Sequence, residues 1–205
     1  MINLDIDELA WCEIDGVLVF LDIVKDRYFT LADTENQVMR DRFALSGEAR
    51  WHQPSWLPKP SDLAPVLTTS DALDSYPFNV AGVARAMWVQ RRVEQRLAAK
   101  GFAEIISYLH KTINSRPCPD DASSQVAGKT IAAFAHSRLI RTAADRCLPR
   151  SIALALCLAA RGVCAHVVIG VKLRPFGAHC WVQADGQTLN ESVAEVHRYQ
   201  PILVI

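Results

Sequence analysis

The segment from Cys147 to Glu191 constrains the fold more than any other part of this 205-residue chain. It begins with a cysteine placed just before the mostly apolar residues 149–160, whose composition predicts a buried helix. His179 follows on a predicted strand 32 residues after the cysteine, and Asn190 and Glu191 lie beyond the next turn. A thiol, an imidazole and a polar acceptor in this order indicate a cysteine nucleophile activated by a histidine.

The position of Cys147 at a helix start favours its ionised form. Unpaired backbone N–H groups and the helix dipole favour negative charge there, and Arg146 and Arg150 add positive potential. Pro149 is tolerated in the first helical turn, where its missing N–H has no partner to lose. In this interpretation His179 acts as base and then as acid, and the backbone N–H of Cys147 is an oxyanion donor.

The residue that orients His179 depends on the register of the last predicted hairpin. If Asp185-Gly186 forms a two-residue loop, Asn190 lies on the His179 face and Glu191 on the other. A three-residue loop with a bulge exchanges the two. The residue pattern therefore leaves a Cys-His-Asn and a Cys-His-Glu site open.

Cys180 cannot be the thiol that His179 activates, because neighbouring residues of a strand point to opposite faces. Of the six cysteines, we assign Cys157 and Cys164 to the core and expect all six to remain thiols. No Cys-x-x-Cys or His-x-x-x-His pair occurs, so we expect no metal site. A Gly-rich loop ending in Lys-Ser/Thr is also absent, so no nucleotide cofactor is expected.

The overall composition is that of a globular protein with a substantial core. Half of the residues are hydrophobic and the formal net charge is zero, which excludes a disordered chain and gives no reason to expect nucleic acid as a partner. The acidic start lacks a basic leader with an apolar run, and the longest apolar run, residues 152–160, is shorter than the about 20 residues of a membrane span. We therefore expect a soluble, cytoplasmic protein without a membrane partner.

Residues 1–78 are predicted to form a small domain with three strands followed by short helices. Residues 9–14 and 17–23 flank Asp15-Gly16, a strong hairpin signal, and 27–31 is a third strand. A helix capped by Asp33 or Thr34 follows to about Leu45. The prolines of residues 51–65 predict a loop.

Residues 79–205 are predicted to form a second, α+β domain. A helical pattern begins at Val80 and is interrupted near Gly101, residues 114–128 form a mobile loop, and a helix covers 129–144. Strands are predicted at 163–171, 179–184 and 188–192, with an edge strand at 201–205.

The second domain resembles the leader peptidase family of lasso-peptide maturation, the B proteins of that pathway. The resemblance covers about residues 140–195 and rests on five motifs: Cys147-Leu148-Pro149-Arg150-Ser151, Arg161-Gly162, His166-Val167-Val168-Ile169-Gly170-Val171, Pro175-Phe176 and Ala178-His179-Cys180-Trp181-Val182. It implies a papain- or transglutaminase-like fold with a Cys-His-Asp site. The thiol falls on Cys147, the imidazole on His179 and the acid on Glu191, where this chain has a longer side chain than the family.

The first domain is similar to the winged-helix-like leader-recognition domain that is fused to such peptidases. Family behaviour implies that the leader of a precursor peptide adds as a strand beside the third strand of this domain. Backbone hydrogen bonds then supply affinity and side-chain pockets supply selectivity. The residues expected to bind the leader are Arg27, Tyr28, Phe29, Thr30 and Leu31.

The resemblance implies a cysteine peptidase that removes the leader from a lasso-peptide precursor before a partner cyclase closes the macrolactam. The cyclase would be the ATP-dependent partner. Two alternatives remain: a thiol acyltransferase of the same fold, and an inactive leader-binding adaptor, which the replacement of the family's acid by Glu191 would favour.

Overall fold

The computed structural model describes residues 8–46, 51–58, 63–115, 124–140 and 146–205. Within these ranges helices pack with two sheets, which confirms the predicted α+β class. Among the helices of these ranges, none has the length and apolar character that crossing a membrane requires.

The N-terminal sheet contains the predicted meander. Its elements are β1 (Leu9–Ile14), β2 (Val17–Asp22), β3 (Arg27–Thr30), α1 (Asp33–Ser46) and β4 (Trp51–His52), in the sheet order β3-β2-β1-β4. Asp15 and Gly16 have φ values of 50° and 80°, as the two-residue turn between β1 and β2 requires. β4 was not predicted, because two residues are too few to show strand alternation.

The two faces of this sheet have different neighbours. Trp11 and Phe20 belong to a small core with Phe43 of α1, and the Trp11 and Phe43 rings stack with centroids 4.5 Å apart. Cys12 and Leu21 lie on the other face and belong to the main core of the molecule. The main core therefore joins the N-terminal sheet to the C-terminal half of the chain.

Six further helices follow α1 in the described residues. They are α2 (Ala72–Ser75), α3 (Val80–Lys100), α4 (Phe102–Asn114), α5 (Ser124–Ile140), α6 (Cys147–Ala159) and α7 (Val193–Val196). The predicted interruption at Gly101 is confirmed, since its φ of 82° and ψ of 178° end α3 and begin α4.

The predicted loop at 114–128 and helix at 129–144 lie partly outside the described residues, which exclude 116–123 and 141–145. Where the chain is described, the prediction that 124–128 are loop is wrong, because α5 begins at Ser124. Gly128 packs so closely on the ring of Tyr76 that a Cβ would overlap it. A tertiary contact thus extends a helix that the polar local composition did not predict.

The C-terminal sheet has the order β5-β8-β7-β6-β9. Its strands are β5 (Thr68–Thr69), β6 (His166–Leu173), β7 (Phe176–Ala184), β8 (Gln187–Thr188) and β9 (Gln200–Val204). β5 pairs in parallel with β8 and was not predicted. The strand expected at 188–192 is wrong, because β8 ends at Thr188.

Helix α6 is the centre of the main core. Ile152, Leu154 and Leu158 are fully buried, as the nearly uninterrupted apolar run predicts. The helix packs against the face of the C-terminal sheet that carries Val182, while Trp181 lies on the opposite face in a separate small core. The N-terminus of α6 is thereby fixed beside β7.

The cysteines depart from expectation at one position. Cys12, Cys147, Cys157 and Cys180 are free thiols, and Cys157 is buried as predicted. Cys164 is disulfide-bonded and exposed, so its assignment as a core thiol is wrong.

Candidate active site

Cys147 is the first residue of α6, and the preceding Arg146 offers no side-chain cap. The free N–H groups of the first turn are therefore available to the thiol, which is half-buried. Pro149 occupies the third position of the helix, where its missing N–H costs no intrahelical bond. The local sequence thus places a sulfur atom where backbone dipoles favour negative charge.

His179 is accessible from α6 because one edge of β7 is open beside it. β7 pairs with β6 throughout, with Gly170 opposite His179, whereas β8 covers only Gln183 and Ala184 on the other edge. The imidazole hydrogen-bonds the Cys147 thiol. A residue from the end of α6 and a residue from the middle of β7 therefore meet.

Glu191 bonds to the same imidazole, with its Oε2 atom 3.0 Å from Nε2 of His179. This bond occupies Nε2 and leaves Nδ1 as the ring nitrogen available to the thiol. The Ser192 N–H donates to Oε1 of Glu191 at 3.1 Å, and Arg138 lies 3.9 Å from Oε2. The structure brings together Cys147, His179 and Glu191, the three residues expected to form the site.

Asn190 has a different set of contacts. Its Oδ1 accepts from the Val182 N–H at 2.8 Å, and its Nδ2 donates to the Ser151 hydroxyl at 2.9 Å. The Ser151 hydroxyl in turn donates to the Cys180 carbonyl at 3.0 Å. Asn190 therefore connects the final turn to β7 and α6 and does not contact the imidazole.

Hairpin register alone favoured the wrong acceptor. Asp185-Gly186 is a two-residue loop and Ala184 pairs with Gln187, a register that places Asn190 on the His179 face if the strand continues. The strand does not continue, because the side chain of Asn190 takes the Val182 N–H that a backbone carbonyl would otherwise accept. The chain then leaves the sheet, and Glu191 reaches the imidazole.

The surroundings of Cys147 have opposing effects on its pKa. Burial favours the neutral thiol, but the hydrogen bond and charge of His179 and the N–H groups of Cys180 and Leu148 outweigh burial, so the pKa is lowered. Cys180 has the opposite balance, because its complete burial raises the pKa of its thiol. Of Cys147 and Cys180, Cys147 is therefore the thiol whose surroundings favour the ionised form.

The partners of the thiol have complementary shifts. Hydrogen bonds to Cys147 and then to Glu191 raise the pKa of His179 to about 9. Burial would raise the pKa of Glu191, but the bond to His179, the Ser192 N–H and the charge of Arg138 lower it. The arrangement therefore favours a thiolate, an imidazolium and a carboxylate together.

Two aromatic rings lie beside the imidazole, on the face of the C-terminal sheet that is opposite α6. Tyr199 lies 5.3 Å from the His179 ring, between centroids, and Trp181 lies 6.5 Å from it. A Cβ at Gly170 would be 2.9 Å from Cβ of Tyr199 and 2.7 Å from the Trp181 ring, so only glycine allows this packing. Tyr199 was not among the site residues predicted from the sequence. The sequence feature that could have indicated it is Gly170, since a glycine inside a strand of β-branched residues often marks a close approach of another group.

The residues expected to bind a leader form an edge strand. β3 pairs with β2 on one side, and its other side has no strand partner among the described residues. Tyr28 points toward the main core and lies 5.6 Å from the ring of Phe176, at the start of β7. Phe29 and Leu31 pack in the α1 core. Arg27 and Thr30 are exposed, and Leu31 follows the strand.

The described residues contain no cluster of three His, Cys, Asp or Glu side chains suited to a metal ion. The contacts of His179 with Cys147 and Glu191 supply a thiol, an imidazole and a carboxylate. Such a set supports attack on a carbonyl carbon and proton transfer to the departing group.

Comparison with known proteins identifies the family to which this fold belongs. The family model described as the transglutaminase-like superfamily matches residues 87–204, more than half of the chain. The chain belongs to the transglutaminase-like superfamily. This confirms the predicted transglutaminase-like fold, in which α6 and β6–β8 carry the candidate site.

A segment of the transglutaminase-like chain is also 46% identical over 46 residues to the Microcin J25-processing protein McjB of Escherichia coli. This match covers 22% of the chain and 22% of that relative, so the chain spans about a fifth of the curated relative's length in the match. The predicted resemblance to lasso-peptide maturation proteins is thereby confirmed. No solved structure matches this chain.

Proposed function

We propose that this protein is a cysteine peptidase that cleaves the leader from a ribosomally made lasso-peptide precursor. The observation that carries the proposal is the contact of His179 with both Cys147 and Glu191. The similarity to a processing protein of Escherichia coli supports the choice of a peptide substrate.

In the proposed reaction the Cys147 thiolate attacks the carbonyl carbon at the leader–core junction and a carbon–sulfur bond forms. Protonated His179 gives its proton to the departing core amine as the carbon–nitrogen bond breaks. The leader remains as a thioester on Cys147. A water molecule then loses a proton to His179 and attacks the thioester, which releases the leader with a free carboxylate and restores the thiolate.

Glu191 has the role of an orienting residue in this reaction. Its bond to Nε2 fixes the ring so that Nδ1 faces the sulfur, and its charge stabilises the imidazolium. The extra methylene relative to aspartate is accommodated because the chain leaves the sheet after Thr188. The departure from the family's acid is thus compatible with a functional site.

Leader recognition is assigned to residues 1–78 and catalysis to residues 79–205. The open edge of β3 has free backbone groups to which an extended leader can pair as an added strand, with side-chain contacts from Arg27, Tyr28, Phe29, Thr30 and Leu31. Tyr28 supports this assignment, because it links β3 to Phe176 on the strand of His179. A leader held at β3 would therefore lead toward the thiol.

The cleaved core would pass to an ATP-dependent lasso cyclase, which we propose as the partner protein. We place the reaction in the cytoplasm, where a ribosomally made precursor is synthesised. The peptidase itself needs no cofactor in this scheme, because each proton and bond in the reaction is supplied by Cys147, His179 or water.

The direct test is to incubate the purified protein with a lasso-peptide precursor and follow its mass. We expect one cut at the leader–core junction, loss of the cut in Cys147→Ala, and a normal cut in the control Cys157→Ala. Unchanged cleavage by Cys147→Ala contradicts the proposal. An added hydroxylamine found in the leader product, in preference to water, would assign an acyltransferase. Leader binding without any cleavage or Cys147 reactivity would assign an adaptor.

A further inference from the structure

A cavity of about 460 Å³ lies between the β1–β2 turn and the C-terminal sheet, next to the candidate site. We call it the Lys172 cavity. Its charged lining residues are Asp15, Lys172, Arg174 and Arg198.

One aromatic ring separates this cavity from the imidazole. Tyr199 lines the cavity and lies 5.3 Å from the His179 ring, between centroids. The Lys172 ammonium lies 4.9 Å from the centroid of the same Tyr199 ring. These two distances add to about 10 Å, so the Lys172 ammonium lies no further than that from the imidazole, which an extended peptide spans in about three residues.

The position of the Lys172 ammonium is set by its neighbours. Gly177 lies opposite Lys172 in the β6–β7 register, and a Cβ at Gly177 would be only 3.1 Å from Cε of Lys172. The absence of that Cβ leaves room for the stem of Lys172 beside Gly177, with its ammonium over the Tyr199 ring. Tyr199 is fixed in turn by its hydroxyl, which donates to Glu195 at 3.2 Å.

Two cations of the lining have no acidic partner among the described residues. Arg198 is neutralised by Glu195 at 2.9 Å, whereas Lys172 and Arg174 form no ion pair in this part of the chain. Asp15 is exposed at its turn and also forms none there. His197 is occupied by a bond from Nε2 to the Val66 carbonyl at 3.0 Å.

We propose that the Lys172 cavity is a substrate subsite that binds an acidic side chain of the peptide, with Lys172 and Arg174 as its ligands. An extended chain advances about 3.3 Å per residue, so the acidic residue would lie within about three residues of the scissile bond. A carboxylate between two uncompensated cations gains charge-assisted hydrogen bonds that a neutral amide does not. The inference rests on the proposed function, because it names a feature of the peptide substrate.

The test uses reagents that need no knowledge of the precursor. Bromoacetyl peptides with up to about three glycines before a C-terminal Asp amide are compared with the same peptides ending in Asn amide. The Cys147 thiolate displaces bromide and forms a thioether, so the second-order rate of modification at Cys147 reports how well each tail is bound. Iodoacetamide, which has no tail, measures the thiol alone.

We expect the Asp reagent to react about tenfold faster than its Asn counterpart at one tail length, since a hydrogen bond to a charged group typically yields an effect of that size. The preference should fall to about one in Lys172→Gln/Arg174→Gln, with the iodoacetamide rate unchanged. The control Lys100→Gln/Lys111→Gln removes the same charge from exposed positions on α3 and α4 and should keep the preference. Higher ionic strength should reduce the preference for the Asp reagent, because salt screens the attraction between the carboxylate and the cations.

Equal rates for Asp and Asn at every tail length would overturn the subsite, as would a preference that persists in Lys172→Gln/Arg174→Gln. Failure of the proposed function has a different signature. In that case iodoacetamide would modify Cys147 no faster than an ordinary thiol, whichever tail the other reagents carry.

Discussion

Helix α6 carries one cysteine near each end, and the two thiols have basic neighbours but opposite pKa shifts. At Cys147 the pKa is lowered, because His179 and backbone N–H groups outweigh burial. At Cys157, ten residues later, burial outweighs the charges of Arg161 and Arg85 and the pKa is raised. Nearby cations are therefore not sufficient to ionise a thiol.

His179 is the main cause of this difference in pKa, and the polarity of the helix adds to it. Its N-terminus presents free N–H groups to Cys147, whereas its C-terminus presents carbonyls that favour positive charge. Arg161 satisfies one of these carbonyls, since its guanidinium donates to the Cys157 carbonyl at 2.7 Å. Both thiols therefore have hydrogen bonds from basic side chains, from His179 at Cys147 and from Arg161 and Arg85 at Cys157, but only at Cys147 do these bonds outweigh burial and lower the pKa.

The largest expected effect is that of removing the imidazole. His179→Ala should lower precursor cleavage by about 10⁴-fold and iodoacetamide modification of Cys147 near neutral pH by about 100-fold, because the thiol then remains protonated. Site-resolved mass spectrometry of modified peptides measures the second rate. His110→Ala, which changes a histidine on α4, is the matched control and should have no effect on either rate. Rapid modification of Cys147 in His179→Ala would show that the imidazole does not cause the difference between the Cys147 and Cys157 thiols.

The next effect concerns the acceptor behind the imidazole. Glu191→Gln should lower kcat by about 100-fold with little change in KM, because an amide cannot stabilise the imidazolium and can turn its NH₂ toward the ring. Glu191→Asp should keep more activity than Glu191→Gln. Steady-state kinetics on the precursor provide the comparison, and equal activity of the Gln variant and the wild type would reject the role of Glu191.

The pH dependence of cleavage and of Cys147 modification distinguishes the protonation of His179 from that of Cys147. Above about pH 9 His179 loses its proton, so cleavage should decline because the leaving amine has no acid. Modification of Cys147 by iodoacetamide should not decline there, because the thiolate persists. Both rates should fall on the acid side, as the lowered pKa of Cys147 is crossed. Parallel alkaline declines of both rates would contradict the assignment of the upper limb to His179.

Several parts of the molecule follow directly from local sequence. Asp15-Gly16 and Asp185-Gly186 both form the two-residue turns that their residue types favour, with positive φ at all four positions. Gly101 ends one helix and begins the next. The placement of a cysteine before an apolar run and of a histidine on a strand likewise predicts which elements carry the candidate site.

The remainder depends on contacts that local patterns do not encode. β4 and β5 have two residues each and exist only because β1 and β8 offer them an edge. The choice between Asn190 and Glu191 depends on a side chain that ends a strand by taking its hydrogen bond. Tyr199 lies at the imidazole because Gly170, opposite His179 on the neighbouring strand β6, has no Cβ.

Asn190 provides a smaller and different effect. Asn190→Ala leaves the Val182 N–H without its acceptor and removes the amide that donates to the Ser151 hydroxyl, which should lower the free energy of unfolding by about 1–3 kcal/mol. Denaturant unfolding measures this change. Because Asn190 does not contact His179, the iodoacetamide rate at Cys147 under native conditions should change by less than about threefold. A larger loss of reactivity without a loss of stability would make Asn190 the orienting residue.

The smallest effect is expected at the C-terminal end of α6. Arg161→Gln removes a charge near Cys157 and should change the already slow modification of that thiol by less than about twofold, since burial dominates its pKa. Mass spectrometry can follow Cys147 and Cys157 in the same sample. Equal modification rates of Cys157 and Cys147 in the wild type would contradict the opposite pKa shifts of the two thiols.

The ionisation of Cys147 by His179 is measured most directly by the ultraviolet absorbance of the thiolate as a function of pH. We expect a thiolate in the wild type near neutral pH that is absent in Cys147→Ala and in His179→Ala and unchanged in Cys157→Ala. A wild-type protein that shows no thiolate until the pH approaches the usual thiol value of 9.0 would contradict this expectation.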